Sequence, residues 1–237
     1  MSSLRARADA AAQVIVDDLA AVVLEEQDRH HLVRVLRLRP GEAVVACDGA
    51  GSWRLCALTG DGALEPTSEE VTEPAPIGAA AVWLPALKGD RAEWAIAKLT
   101  ELGVDEIGLL RCERASVRLD GATTERVLAR WRRVVREAAC QSRRTRLPAV
   151  LGPLDVETAV GGGAIRCDLE GEAHLEAPHS LLVGPEGGWS EAERGSPAAS
   201  LGLADSVLRT ETAAVVAGVA VTAWRRGSPH GARAEAQ

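Results

Sequence analysis

The chain contains no phenylalanine and no tyrosine, a single methionine, and two lysines against 25 arginines. Six tryptophans are its whole aromatic complement, which limits base stacking as a mode of nucleic-acid recognition. The five cysteines (Cys47, Cys56, Cys112, Cys140, Cys167) show no CxxC and no paired spacing. That argues against a disulfide framework or a zinc site and suits a reducing compartment. His30 and His31 stand beside Arg34 and Arg37, while His174 and His179 are isolated. With no carboxylate or cysteine at ligand spacing, no metal is expected. The longest uncharged run, Pro74 to Leu87, is 14 residues and too short to span a bilayer. Asp9, Asp17 and Asp18 interrupt any apolar signal region behind Arg5 and Arg7. A soluble, cytoplasmic protein that avoids membranes is expected. GxxxxGK[ST], GxGxxG and GxSxG are missing too, which disfavours a P-loop NTPase, a Rossmann dinucleotide fold and an α/β-hydrolase.

What is present is unevenly spread. The 237 residues carry a net charge of -7, yet residues 126–146 hold eight arginines and one acid, Glu137. Residues 1–75 hold 13 acidic and 7 basic side chains. A basic stretch inside an acidic chain points to a local anionic partner. The other reading is a coding bias toward arginine that merely solvates a helix face, and composition does not choose between the two.

A proline-rich, acidic segment from Glu65 to Pro76 lacks periodicity and reads as a linker. We therefore expect a first domain over 1–73, a second over 77–227, and a flexible tail over 228–237. In the first, Glu42 to Asp48 and Ser52 to Thr59 read as strands joined by the turn Asp48-Gly49-Ala50-Gly51. A helix over 25–36 would bring Leu32, Val35 and Leu36 to one side. After the linker, strands and helices alternate. Strands are expected at Ala79–Leu84, Glu106–Leu110, within 164–176, at Ser180–Val183 and at Ala204–Leu208. Helices are expected over Arg91–Leu102, Thr124–Ser142, from Ser190, and up to Arg226. Gly103 is placed to end the first of these in a left-handed conformation. The class is α/β with a largely parallel sheet.

Two segments carry most of the chemistry: Gly184-Pro185-Glu186-Gly187-Gly188 and Leu208-Arg209-Thr210-Glu211-Thr212-Ala213. Each follows an apolar run and opens a helical pattern, the position at which open α/β sheets bind ligands. The glycines allow close approach of a ligand to the backbone. Ser190 and Glu193 have the spacing of a capping box. Alone, the glycine segment reads more readily as an ordinary tight turn. Thr210 or Thr212 is equally a helix cap, and Arg209 equally a partner for Glu211. Side by side, the two segments favour a binding site.

The residues also resemble a known family. His31-Leu-Val-Arg-Val-Leu-Arg37, Pro40-Gly41 and the Asp48–Gly51 turn match in the small domain. In the large domain the matches are Lys88-Gly89-Asp90, Lys98 to Val104, Arg114 to Val117, Gln141-Ser-Arg143 and Leu147-Pro148, followed by both C-terminal segments. In this order, over nearly the whole length, they resemble the ribosomal small subunit methyltransferase E family, 16S rRNA uridine-N3 methyltransferases of the SPOUT class. The chain departs from that pattern at Ala115, Cys140, Trp189 and residues 195–198.

The resemblance implies a PUA-like β-barrel followed by a SPOUT domain with a C-terminal trefoil knot, acting as a homodimer on 16S rRNA in the small subunit. It implies S-adenosylmethionine held by Leu182, Gly184, Pro185, Glu186, Gly187, Gly188, Leu208, Arg209, Thr210, Glu211, Thr212 and Ala213. For RNA we single out Arg34, Arg37, Arg114, Gln141, Arg143 and Arg144. Uracil N3 must lose a proton to become nucleophilic. Arg209 is our candidate for stabilising the charge that develops, and Glu211, with Glu186 behind it, for accepting the proton. The rival readings are a SPOUT methyltransferase for another RNA position and a catalytically silent rRNA-binding assembly factor.

Overall fold

The computed structural model describes residues 3–172, 179–195 and 199–227; His174, residues 196–198 and the expected tail lie outside them. The chain forms two compact units, Met1–Ala75 with Arg136–Leu147, and Pro76–Val135 with Pro148–Gln237. Grouping of Arg136–Leu147 with the first unit was not foreseen by a single cut at the linker.

The first unit is built on a five-stranded sheet: β1 (Ala12–Ile15), β2 (Ala43–Cys47), β3 (Ser52–Leu58), β4 (Leu64–Pro66) and β5 (Val71–Thr72). Strand β2 is parallel to β1 and antiparallel to β3, and both β4 and β5 pair with β3. Val44, Val45, Ala46 and Cys47 are all fully buried, so both faces of the sheet are covered at its centre. Asp48 shapes the β2–β3 turn, its Oδ1 accepting from the amides of Ala50 at 2.7 Å and Ser52 at 2.9 Å. The supposed linker is in part structured: its acidic, proline-bearing residues form two short edge strands. Charge and proline there leave the pairing to β3 intact while discouraging further strand addition.

Two helices precede β2. α1 (Ser3–Ala8) was not legible as a helix in the sequence. α2 (Glu26–His30) runs into a π turn over His31–Val35, in which the Leu36 amide donates to the His31 carbonyl five residues back, at 2.9 Å. The wider turn breaks the 3.6-residue register. Leu32 is fully buried, but Val35 and Leu36, expected on the same side, are 58% and 43% exposed.

The segment 136–147 joins this unit through polar contacts. Arg136 donates to the Ile15 carbonyl at 2.9 Å and pairs with Asp28 at 2.8 Å. Gln13 donates to the Arg144 carbonyl at 2.8 Å, and Arg146 to the Glu73 carbonyl at 3.0 Å. The Leu147 amide donates to Gly49 O at 2.8 Å and the Gly51 amide to Thr145 O at 3.1 Å. Arg7, only 6% exposed, pairs with Glu73 at 2.6 Å.

The second unit carries a six-stranded parallel sheet in the order β11-β9-β10-β6-β7-β8. Its strands are β6 (Ala81–Leu84), β7 (Glu106–Arg111), β8 (Ala149–Asp155), β9 (Ile165–Glu172), β10 (Ser180–Leu182) and β11 (Ser200–Leu201). α3 (Arg91–Leu102) ends on Gly103 at φ 91°, the left-handed cap that glycine adopts without a Cβ clash. α4 (Gly121–Ser142) and α5 (Val156–Gly161) follow β7 and β8. α6 is only Glu191–Arg194, and α7 spans Thr210–Gly227. α7 packs on α3, β6 and β10, with Ala214, Ala217 and Val221 buried. Trp83, Leu110, Val156, Leu182 and Trp189 belong to one core cluster of the sheet.

One expected strand is displaced. Ala204–Leu208 is irregular, and the strand before α7 is Ser200–Leu201, paired to β9. Leu201 is buried and the Gly202 amide donates to Glu172 O at 2.9 Å, after which the chain leaves the sheet. Val207 is then 83% exposed, so its apolar run is not core.

The thiols of Cys47, Cys112 and Cys167 are pushed up to about 12 by burial, from the ordinary 9.0, and that of Cys56 is also raised by burial. A raised folded-state value means the thiols contribute stability in full below pH 9.0 and lose it as pH climbs toward about 12. Denaturant titrations should therefore show stability falling above pH 9, at most about 1.4 kcal/mol per pH unit for each thiol. A flat profile between pH 9 and 11 would contradict the burial of these groups.

Candidate functional site

Strand β10 lies between β9 and β6, with Leu181 and Leu182 fully buried. The glycine segment leaves its C-terminal end. Trp189 anchors the far side of that turn: the ring is 3% exposed and its Nε1 donates to the Cys167 carbonyl, on β9, at 2.9 Å. The capping box forms as the sequence spacing predicts, with Ser190 N–H donating to Glu193 Oε2 at 2.7 Å and Glu193 N–H donating to Ser190 Oγ at 3.2 Å. The other carboxylate oxygen of Glu193 accepts from the Glu113 amide at 2.9 Å, and Arg114 donates to the Trp189 carbonyl at 3.1 Å. Segment 113–114 is thereby fixed against the glycine turn. A Cβ at Gly187 would lie 3.0 Å from both Cβ and the carbonyl oxygen of Arg114, a tight contact that glycine avoids.

The second segment meets the first directly. Thr210 Oγ1 donates to the Gly184 carbonyl at 3.0 Å, so this hydroxyl bridges the two loops instead of capping α7. Arg209 does not pair with Glu211. Glu211 faces Arg91 at 3.6 Å, and Arg91 also holds Glu186 at 2.7 Å. Arg209 is exposed, and its side chain has no protein partner among the described residues. The pairing fails because residues two apart at the start of a helix point to different sides.

Between the loops lies a cavity of about 450 Å³, within the range of ~300–1,000 Å³ typical of small-molecule sites. Of the residues singled out from the sequence, Gly184, Pro185, Glu186, Gly188, Leu208, Arg209, Thr210 and Ala213 line it. Leu182, Gly187, Glu211 and Thr212 do not: Leu182 is core, Gly187 abuts Arg114, Glu211 turns toward Arg91, and Thr212 is exposed. The sequence reading missed Cys167, Asp168, Leu169 and Arg194, which share the wall with Val183, Trp189, Leu203, Ala204, Ser206 and Val207. The signal for them is the position of β9 beside β10, which a chain-order reading does not reveal.

The residues singled out for RNA are dispersed. Arg34, Arg37 and Gln141 are exposed on the first unit. Arg143 donates to the carbonyls of Ala10 at 2.8 Å and Cys140 at 3.0 Å, and partial burial lowers its pKa. The Arg144 carbonyl accepts from Gln13, and Arg114 is turned to Trp189. In the basic stretch, Arg130 pairs with Glu93 at 2.8 Å and Asp90 at 3.1 Å, whereas Arg126 and Arg132 are exposed. The choice left open by composition thus divides by residue. Among the described residues no cluster of His, Cys, Asp or Glu is arranged to hold a metal ion, and no helix is long and apolar enough to cross a membrane.

Residues 73–222 match the RNA methyltransferase domain family and residues 24–65 the RNA methyltransferase PUA domain family, so the class is that of RNA methyltransferases with a PUA domain. The chain is 35% identical over 235 residues to ribosomal RNA small subunit methyltransferase E of Mycobacterium bovis, covering 88% of this chain and 90% of that protein. It is 35% identical to the protein of the same name from Synechocystis, over 84% of this chain and 71% of that one. The solved structure of ribosomal RNA small subunit methyltransferase E from Neisseria gonorrhoeae bound to S-adenosyl methionine superposes with a TM-score of 0.77 at 28% identity, covering 90% of this chain and 98% of that one. The chain belongs to the ribosomal RNA small subunit methyltransferase E family.

Replacing Thr210 by Val keeps the shape and removes the bridge to Gly184. Because the carbonyl is then left without that donor, the Thr210→Val protein should lose about 1–2 kcal/mol of stability. Chemical denaturation measures it, and a loss under about 0.3 kcal/mol would show that the bond does not hold the loops together.

Proposed function

We propose that this chain transfers a methyl group from S-adenosylmethionine to N3 of a uridine in the 16S rRNA of the small ribosomal subunit. The observation that carries the reading is the cavity between two hydrogen-bonded loops in a chain of this family. The Neisseria relative, of matching fold, is bound to S-adenosyl methionine. The residues here fit such a ligand. Gly184 and Gly188 leave backbone accessible, Val183, Leu203 and Leu208 supply apolar wall, and Glu186, Arg209 and Thr210 supply polar groups. When bound, the cofactor supplies an electrophilic methyl group on a sulfonium sulfur.

The chain's own residues then have to position the uracil and manage one proton. Arg209, exposed on the cavity wall, is assigned to stabilise the negative charge that builds on the carbonyl oxygens flanking N3 as its proton leaves. Glu186, which lines the cavity, is the first candidate to accept that proton, and Glu211, turned toward Arg91, the weaker one. Arg34, Arg37 and Gln141 are assigned to the rRNA backbone, together with Arg114, Arg143 and Arg144 where their existing bonds allow. The remainder of the proposal follows the family resemblance: a PUA-like barrel over 1–73, a trefoil knot within 77–227, and a cytoplasmic homodimer.

Calorimetry should show one S-adenosylmethionine site per chain. Mass spectrometry of 16S rRNA from a strain lacking the gene should show one N3-methyluridine missing and restored by the gene. Loss of methylation at another position would redirect the substrate assignment, and an absence of cofactor binding would favour a silent assembly factor. RNA affinity should fall steeply with salt, because phosphate contacts release counterions.

For the chemical step, Arg209→Ala should slow single-turnover methylation about 100-fold or more while S-adenosylmethionine still binds. A rate near wild type would remove Arg209 from the mechanism, and the same result for Glu211→Gln would remove Glu211.

A further inference from the structure

Arg91 stands at the first position of α3, far in sequence from both C-terminal loops, and its guanidinium reaches each of them. One terminal nitrogen lies 2.7 Å from Glu186 Oε1 on the glycine loop, and the other lies 3.6 Å from Glu211 Oε2 on the first turn of α7. Its Nε donates to the Lys88 carbonyl at 3.3 Å, which fixes the plane of the fork. The two carboxylates differ in exposure: the Glu186 side chain is 34% exposed, that of Glu211 only 12%. Glu211 Oε2 is buried and makes no hydrogen bond, so its compensation is the Arg91 charge across 3.6 Å. Other acids near the start of α3 have their own cation. Asp90 and Glu93 pair with Arg130, at 3.1 and 2.8 Å.

From this geometry we propose that Arg91 is a positioning residue that sets the spacing of the two cofactor loops by bridging Glu186 and Glu211. Removing its charge leaves two carboxylates on facing loops, one of them buried, with no cation between them. Like charges then push the loops apart, against the Thr210–Gly184 hydrogen bond that joins them. A planar guanidinium is suited to the task because its two terminal nitrogens point in different directions, whereas a lysine offers one point charge. Arg91 does not line the cavity, so its action on a ligand is indirect. The inference rests on the reading of these loops as the S-adenosylmethionine site, but its first test does not require the cofactor.

Amide hydrogen exchange, read by mass spectrometry on the full chain without cofactor, should show peptides over 184–189 and 208–213 exchanging about tenfold faster in Arg91→Met than in wild type. Peptides from β7 and β8 should be unchanged. Arg91→Lys should fall between the two. Glu186→Gln, at a half-exposed position that does not threaten folding, should loosen 184–189 selectively. In calorimetry, Arg91→Met should weaken S-adenosylmethionine binding about tenfold, and the triple variant Arg91→Met, Glu186→Gln, Glu211→Gln should recover part of that loss. Unchanged exchange at both loops in Arg91→Met would overturn the proposal. If Arg91→Met fails to fold, unchanged exchange in both Arg91→Lys and Glu186→Gln would overturn it equally. Wild-type protein that binds no S-adenosylmethionine, yet shows the coupled exchange, would overturn the cofactor reading and leave the role of Arg91 standing.

Discussion

The second unit depends on burying a three-residue strand between two parallel neighbours. β10 has only Ser180, Leu181 and Leu182 to hold it, and both leucines are fully buried. So short a strand cannot fix its own exit by length, and the exit is fixed by what surrounds it. The Val183 amide donates to Trp83 O on β6, and Trp189 Nε1 reaches back to Cys167 O on β9. The glycine turn is therefore held from both neighbouring strands at once. A cavity at that edge follows from the arrangement, because the turn and the segment entering α7 are clamped at their ends while the space between them stays open.

Arginine illustrates how composition and structure divide the information. The excess of arginine over residues 126–146 is visible as charge, and charge suggests an anionic partner. The folded chain uses much of it internally. Arg136, Arg143 and Arg146 each donate to backbone carbonyls of the first unit, at 2.8 to 3.0 Å. A guanidinium can satisfy several buried carbonyls while leaving its edge near water, which a lysine does less well. In a chain with two lysines, arginine must do both the scaffolding and any phosphate binding, and the sequence does not label which is which.

The parts of the site that were legible are those whose chemistry is local. The capping box at Ser190 and Glu193, the left-handed cap at Gly103 and the glycine turn itself are each set by residues within a few positions of one another. The rest required the order of the strands. Cys167 to Leu169 enter the cavity wall because β9 sits beside β10, an order that breaks the chain sequence. Ala204–Leu208 was misread for a related reason. Its apolar residues suggest a strand, but the two residues that pair with β9 come earlier, and the run is left to line the cavity. In the first unit, the π turn after His30 shifted Val35 and Leu36 into solvent, and a 3.6-residue template cannot anticipate an inserted residue. The turn Asp48–Gly51 and the residue Leu147, separate segments of the family resemblance, are joined by the hydrogen bond from the Leu147 amide to the Gly49 carbonyl.

The fate of Glu211 shows why neighbouring charges in a sequence are a poor guide to pairing. Arg209 is two residues away and Arg91 is 120 positions away in the chain, yet Arg91 faces the carboxylate. At the start of a helix, side chains two apart diverge, so local proximity offers little, while the packing of α7 on α3 brings the distant pair together. The consequence reaches the chemistry. With Glu211 engaged by Arg91, the Arg209 guanidinium is not neutralised by its sequence neighbour and remains exposed beside the cavity. A cation with no carboxylate partner among the described residues can meet an anionic group without an internal pair being broken first, which is what the role proposed for Arg209 needs. The long-range ion pair proposed above to hold the loops also leaves Arg209, one of two arginines on the cavity wall, free of its sequence neighbour.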